Sequence, residues 1–293
     1  MSEKIKVRTH RFSNNKSLAA VLIIGIIMMF GYYYASQLGL GFISGIPLII
    51  MGKTADDIEN VATALSLPGG FLALFFYYWW YRPEYDPKPR NTAFAFRLAA
   101  PLLIYWFIQY GVLYTIAAGH ITFGLNVKLL TAIFSMSAGV CEEVAFREVG
   151  ISIMKRQLRE DRMNLPIVII TAVTFGLTHF MNAGSVNAPF YLLALQAFWA
   201  TMLGIFFGGI FVRTGNIWPC IIGHALYDLM VDFFRVNYDV TDEPAYIYVF
   251  MTVELTMLAA YGIYLIRKEK HPEIRKIWDE KWKIALPVDE NKA

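Results

Sequence analysis

Residues 128–153 read KLLTAIFSMSAGVCEEVAFREVGISI, an apolar run with Glu142, Glu143, Arg147 and Glu148 set into it. A helix that crosses a bilayer needs about 20 mostly apolar residues, and this run is long enough. Further apolar stretches lie on either side of it, at about 18–38, 61–81, 94–118, 165–183, 190–212, 217–236 and 246–267. A Gly-rich stretch, 39–51, either prolongs the first helix or lies in the interface. Eight crossings in all predict an all-α, polytopic membrane protein.

Composition points the same way. Hydrophobic residues make up 57% of the 293-residue chain and charged residues only 17%, against roughly 25% in soluble domains. A water-soluble fold could not hide so much apolar surface. The run Phe75-Phe76-Tyr77-Tyr78-Trp79-Trp80-Tyr81 suits the membrane–water interface, where amphipathic rings settle. The net charge of +3 is small and the basic residues are scattered, so nothing resembles a nucleic-acid footprint. Two cysteines, Cys141 and Cys220, both in apolar segments, exclude a disulfide framework and read as small buried hydrophobes.

The basic residues sort by loop. Lys4, Lys6, Arg8, Arg11 and Lys16 precede the first span. Arg82, Lys88 and Arg90 follow the second, Lys155, Arg156, Arg159 and Arg162 the fourth, and Arg267, Lys268, Lys270, Arg275 and Lys276 the last. The alternate loops are acidic or uncharged, as at Asp56, Asp57 and Glu59 and over 239–243. Eight spans put every basic loop on one side, and the positive-inside rule then puts both termini in the cytoplasm. The chain divides into an N-terminal tail (1–17), not a cleavable signal, a transmembrane domain (18–267), and a C-terminal tail (268–293) with a short helix holding Trp278 and Trp282 near the membrane. It reads as a multi-pass protein of the cell membrane.

Ionisable groups inside spans cost about 2.5–3.5 kcal/mol each on insertion scales and are functional candidates by default. Glu143 and Arg147 stand at i,i+4 with the acid first, so the guanidinium can reach the carboxylate. Glu142 points about 100° away around an ideal helix and is free to face another group. His179 ends the segment Phe175-Gly176-Leu177-Thr178-His179. His224 and Asp228 stand at i,i+4 on one helix face, where a carboxylate can orient the ring. At about 1.5 Å per residue, Glu142 lies roughly 20 Å from Lys155, His179 roughly 24 Å from Met163, and His224 roughly 16 Å from Arg213. With ordinary tilt these three side chains reach one level near the bilayer midplane. One acid and two imidazoles there could activate a water, as base, oxyanion donor or metal ligands.

At these residues the chain resembles the CAAX protease and bacteriocin-processing enzyme (CPBP, or ABI) family. Glu142-Glu143 with Arg147 is similar to that family's Glu-Glu-x-x-x-Arg motif, Phe175 with His179 to Phe-x-x-x-His, and His224 with Asp228 to His-x-x-x-Asn/Asp. The stretch from Arg213 to Pro219 is similar to the lead-in of many members. The resemblance covers about 128–236. It implies an intramembrane endopeptidase acting on a peptide or protein substrate, membrane-bound or prenylated. In that role Glu142 and His179 activate water, His224 and Asp228 hold the oxyanion or the water, and Glu143 and Arg147 support them. Metal-dependent and glutamate-type mechanisms both occur in the family. Glu142, His179 and His224 could bind zinc with a water in the fourth position, or a Glu–His pair could polarise water unaided. Asp228 stands where many relatives have Asn; an ionised Asp cannot donate to an oxyanion.

Two other classes compete with the peptidase. A proton-coupled transporter also uses buried acids and histidines, although no inverted repeat is visible. A non-catalytic immunity or scaffold protein could keep the motifs. A Cys220–His224 nucleophile pair at i,i+4 would leave Glu142 and His179 idle. Asp232 and Glu254 read as structural acids, and Gln109 and Gln196 as interhelical hydrogen-bonders.

Overall fold

The structure, a computed structural model, describes residues 17–122, 128–184, 189–239 and 243–284. The basic N-terminal residues up to Lys16, part of the acidic 239–243 segment and the end of the C-terminal tail lie outside the described residues.

Helices α1 (Leu18–Ile50) and α2 (Ala55–Tyr81) form a hairpin that starts on side-chain caps. Ser17 accepts from the Ala20 amide, and Thr54 and Asp57 cap each other reciprocally. The Gly-rich 39–51 stretch is helical up to Ile50 and so prolongs the first helix. Next come α3 (Thr92–Ala117) and α4 (Leu129–Gln157). Each carries a π-helical segment, Phe107–Tyr114 in α3 and Glu143–Ile151 in α4. Helices α5 (Asn164–Thr178), α6 (Phe190–Thr214), α7 (Trp218–Asn237) and α8 (Ala245–Leu265) complete the bundle, and α9 (His271–Lys281) lies against one end of it. Short strands β1 (His120–Ile121) and β2 (Tyr238–Asp239) pair antiparallel at the opposite end.

Seven of these helices are long and apolar enough to cross a membrane, against the eight expected. The difference is α7. It is long enough at 20 residues, but Asp228, Asp232 and Arg235 break its hydropathy. Two of its polar side chains are met by α4, Asp232 by Ser135 and His224 by Glu143. The apolar side chains left exposed on α1, α2, α3 and α8, such as Ile27, Phe75, Leu103 and Val253, are the surface that lipid would cover.

Among the described residues the basic connections gather at one end. Arg90 pairs with Glu280, Arg156 with Glu84 at 2.5 Å, Arg159 with Asp279 at 2.8 Å, and Arg275 with Asp161. Helix α9 is thus held by the connections on which the charge count rests. Its tryptophans are buried in protein rather than laid along lipid. Trp278 donates to the Val212 carbonyl at 2.9 Å and meets the Phe211 ring edge-on, with centroids 5.3 Å apart. Gln109 is buried with neither amide atom hydrogen-bonded among the described residues, and Gln196 is exposed, so neither forms the interhelical bond expected.

Trp278→Ala empties a packed site and orphans the Val212 carbonyl. A stability loss on the order of 3–5 kcal/mol is expected, read as a lower melting temperature of the detergent-solubilised chain.

Candidate active site

The polar centre is built where α4 and α7 touch. A Cβ on Gly139 would stand 2.4 Å from the Ala225 amide nitrogen, so only glycine allows this approach. Ala225 follows His224, and the contact brings that imidazole to the Glu142–Glu143 step. The helix changes winding at this step, from α through Glu142 to π from Glu143. A π turn closes i→i+5 rather than i→i+4 hydrogen bonds and recurs at functional sites.

At this step both glutamates face the same ring. His224 Nδ1 lies 2.8 Å from Glu143 Oε1, and Nε2 lies 3.6 Å from Glu142 Oε2. The sequence spacing places Glu142 apart from its neighbour; in the structure it takes the far edge of the imidazole that Glu143 holds. Arg147 Nη1 is 3.1 Å from the same Glu143 oxygen, as the i,i+4 spacing predicts. The guanidinium nitrogens make no well-aligned hydrogen bond among the described residues, so this is a contact of charges. The other face of Arg147 is covered by the Phe175 ring, with the guanidinium carbon 4.6 Å from the centroid. Such stacking suits a desolvated guanidinium.

Phe175 organises the rest. His179 and His224 each meet its ring edge-on, with centroids 5.2 and 5.8 Å apart. His179 opens the 3₁₀ turn that ends α5, and its Nδ1 lies 3.4 Å from the Phe175 carbonyl. One turn earlier α5 meets α6 at Gly176, where a Cβ would lie 2.5 Å from the Ala197 carbonyl. Phe207 stacks on the His224 ring, with centroids 5.9 Å apart.

Asp228 Oδ2 lies 3.7 Å from His224 Nε2 and its side chain is 28% exposed. It stands beside the ring but beyond direct bonding. The short carboxylate bond to the imidazole belongs to Glu143, which the spacing assigned to Arg147 alone. No signal along the chain could have found this pair, because its partners are far apart in sequence. Asp232 accepts from Ser135 across the same α4–α7 seam. Glu254, on α8, has no hydrogen-bond partner for either oxygen among the described residues. Cys220 is buried and directed at the Phe207 carbonyl, the contact of a packing residue.

Among the described residues no three His, Cys, Asp or Glu side chains are grouped as a metal ion requires.

Fold and site define an α-helical multi-pass membrane protein with a glutamate–histidine centre at helix–helix contacts. Residues 124–230 match the family model of Rce1-like type II CAAX prenyl endopeptidases, in line with the CPBP resemblance carried by the motifs of the same segment. The matched segment contains Glu142, Glu143, Arg147, Phe175, His179, His224 and Asp228. No curated protein and no solved structure matches the chain.

Gly139→Ala forces a methyl group into the Ala225 backbone. The expected cost is about 1–3 kcal/mol of stability, measured as a lower thermal midpoint than that of Ser137→Ala, which adds no atom to the seam.

Proposed function

We propose that this chain is an intramembrane endopeptidase that hydrolyses a peptide bond near a prenylated C-terminus, with Glu142 as general base. The observation that carries the reading is the bracketing of both His224 nitrogens by consecutive glutamates inside a domain matching a protease family. The 3.6 Å gap between Glu142 and His224 Nε2 is wider than a hydrogen bond and suits a bridging water. That water attacks the scissile carbonyl carbon and gives its proton to Glu142. The carboxylic acid so formed then protonates the amide nitrogen as the C–N bond breaks.

Glu143 accepts from Nδ1–H of His224, so it is the imidazolium form of the ring that carries a second proton, on Nε2, to stabilise the charge developing on the reacting carbonyl oxygen. His179, held from Nδ1 by the Phe175 carbonyl, offers Nε2 to the water. Asp228, 3.7 Å from Nε2 and beyond direct bonding, acts on the ring through its charge. An ionised Asp has no proton to donate, so the oxyanion role falls to His224. Glu143 and Arg147 act through position and charge. The end of the bundle that carries the basic connections and α9 faces the cytoplasm, where prenylated C-termini are exposed.

With the full chain in detergent or nanodiscs and a quenched-fluorescence farnesylated CAAX-type peptide, Glu142→Gln is expected to lower kcat by about 10²–10⁴-fold. Wild-type turnover in that variant would sink the reading. Pre-incubation with 1,10-phenanthroline is expected to leave wild-type turnover unchanged, and inhibition reversed by added zinc would show a metal-dependent enzyme instead.

A further inference from the structure

The chemistry above leaves a second buried polar cluster unused, and it sits on the same π-helical segment as Glu143. Glu148 is fully buried there. Tyr85, from the connection between α2 and α3, donates its hydroxyl to Glu148 Oε1, and that hydroxyl also lies 3.2 Å from Ser152 Oγ. The Tyr85 ring packs on Trp282, just beyond α9, with centroids 4.5 Å apart. Trp282 in turn donates its indole N–H to the Ser152 carbonyl at 3.1 Å, immediately past the end of the π segment.

The neighbouring residue reaches the other site-bearing helix. Lys281 Nζ lies 4.7 Å from the Tyr85 ring centroid and donates to the Gly215 carbonyl at 2.7 Å. Gly215, at φ +64°, is the left-handed turn that ends α6 and leads into α7. Two adjacent residues after the last span therefore hold the helix that carries Glu142 and Glu143 and the turn that launches the helix carrying His224.

Extended π winding is rare, and most instances are single turns. A segment of nine residues needs tertiary contacts to hold it, and Glu148 and Ser152 supply two of them. We propose that Tyr85, Glu148, Lys281 and Trp282 are positioning residues, and that the end of α9 is a clamp fixing the register of α4 against α7, and so the distance of His224 from Glu142. The activity arm of this inference rests on the peptidase reading; the structural arm does not.

The test compares Tyr85→Phe and Lys281→Met with Trp278→Phe in the full chain. Trp278→Phe removes an α9 hydrogen bond to the Val212 carbonyl of α6, a contact that reaches neither the π segment nor the turn into α7. On the farnesylated peptide the first two variants are expected to lose about tenfold in kcat with KM within about twofold, while Trp278→Phe keeps both. Hydrogen–deuterium exchange of amides 143–151 and 218–224 is expected to quicken in the first two variants only. Wild-type exchange at both segments in Tyr85→Phe and Lys281→Met overturns the clamp, as does an equal loss of kcat in all three variants. A wild type that leaves the peptide intact overturns the peptidase reading, and exchange alone then decides the clamp.

Discussion

A single carboxylate oxygen, Glu143 Oε1, faces both His224 Nδ1 and Arg147, and the polar centre depends on that sharing. Within a bilayer an unpaired charge is costly, and removing one partner of a buried pair is worse than never having built it. Glu143 and Arg147 are almost wholly excluded from solvent. Their mutual attraction, with Phe175 covering the guanidinium, is what lets a carboxylate stay at this depth to hold an imidazole. The charge on Glu143 is thereby committed to holding the ring at Nδ1, and Glu142 stands at the other nitrogen.

Close helix contact makes the sharing possible. A side chain can bond across two helices only where their backbones nearly touch, and Gly139 and Gly176 provide such contacts beside His224 and His179. At the change to π winding, Glu143, two consecutive residues then meet one ring at its two nitrogens. Both devices are local departures from regular packing, and the rest of the bundle, α9 included, has to hold them in place.

Some of this was legible along the chain. Seven of the spans, the i,i+4 pair of Glu143 with Arg147 and the grouping of the basic connections among the described residues follow from composition and helical periodicity, and the structure repeats them. Asp228 on the face of His224 was also legible, although not its standing at 3.7 Å. Other features were hidden for a physical reason. The π segment leaves no composition signal, since winding is set by what packs around a helix. Gln109 has the look of an interhelical bonder and is left without one among the described residues. The tryptophans of α9 suggest an interfacial helix, and only the aromatic cleft formed by Tyr81, Tyr85 and Phe211 shows that they bury against protein.

The sequence by itself determined the solvent of this protein and the cast of its site, because hydropathy and short-range spacing are properties of neighbours along a chain. Which nitrogen of His224 meets which glutamate, and which residues hold α4 to α7, was decided only by tertiary structure. Those contacts join residues such as Glu143 and His224, or Ser152 and Trp282, that are distant in sequence, and their geometry depends on how closely two backbones can approach.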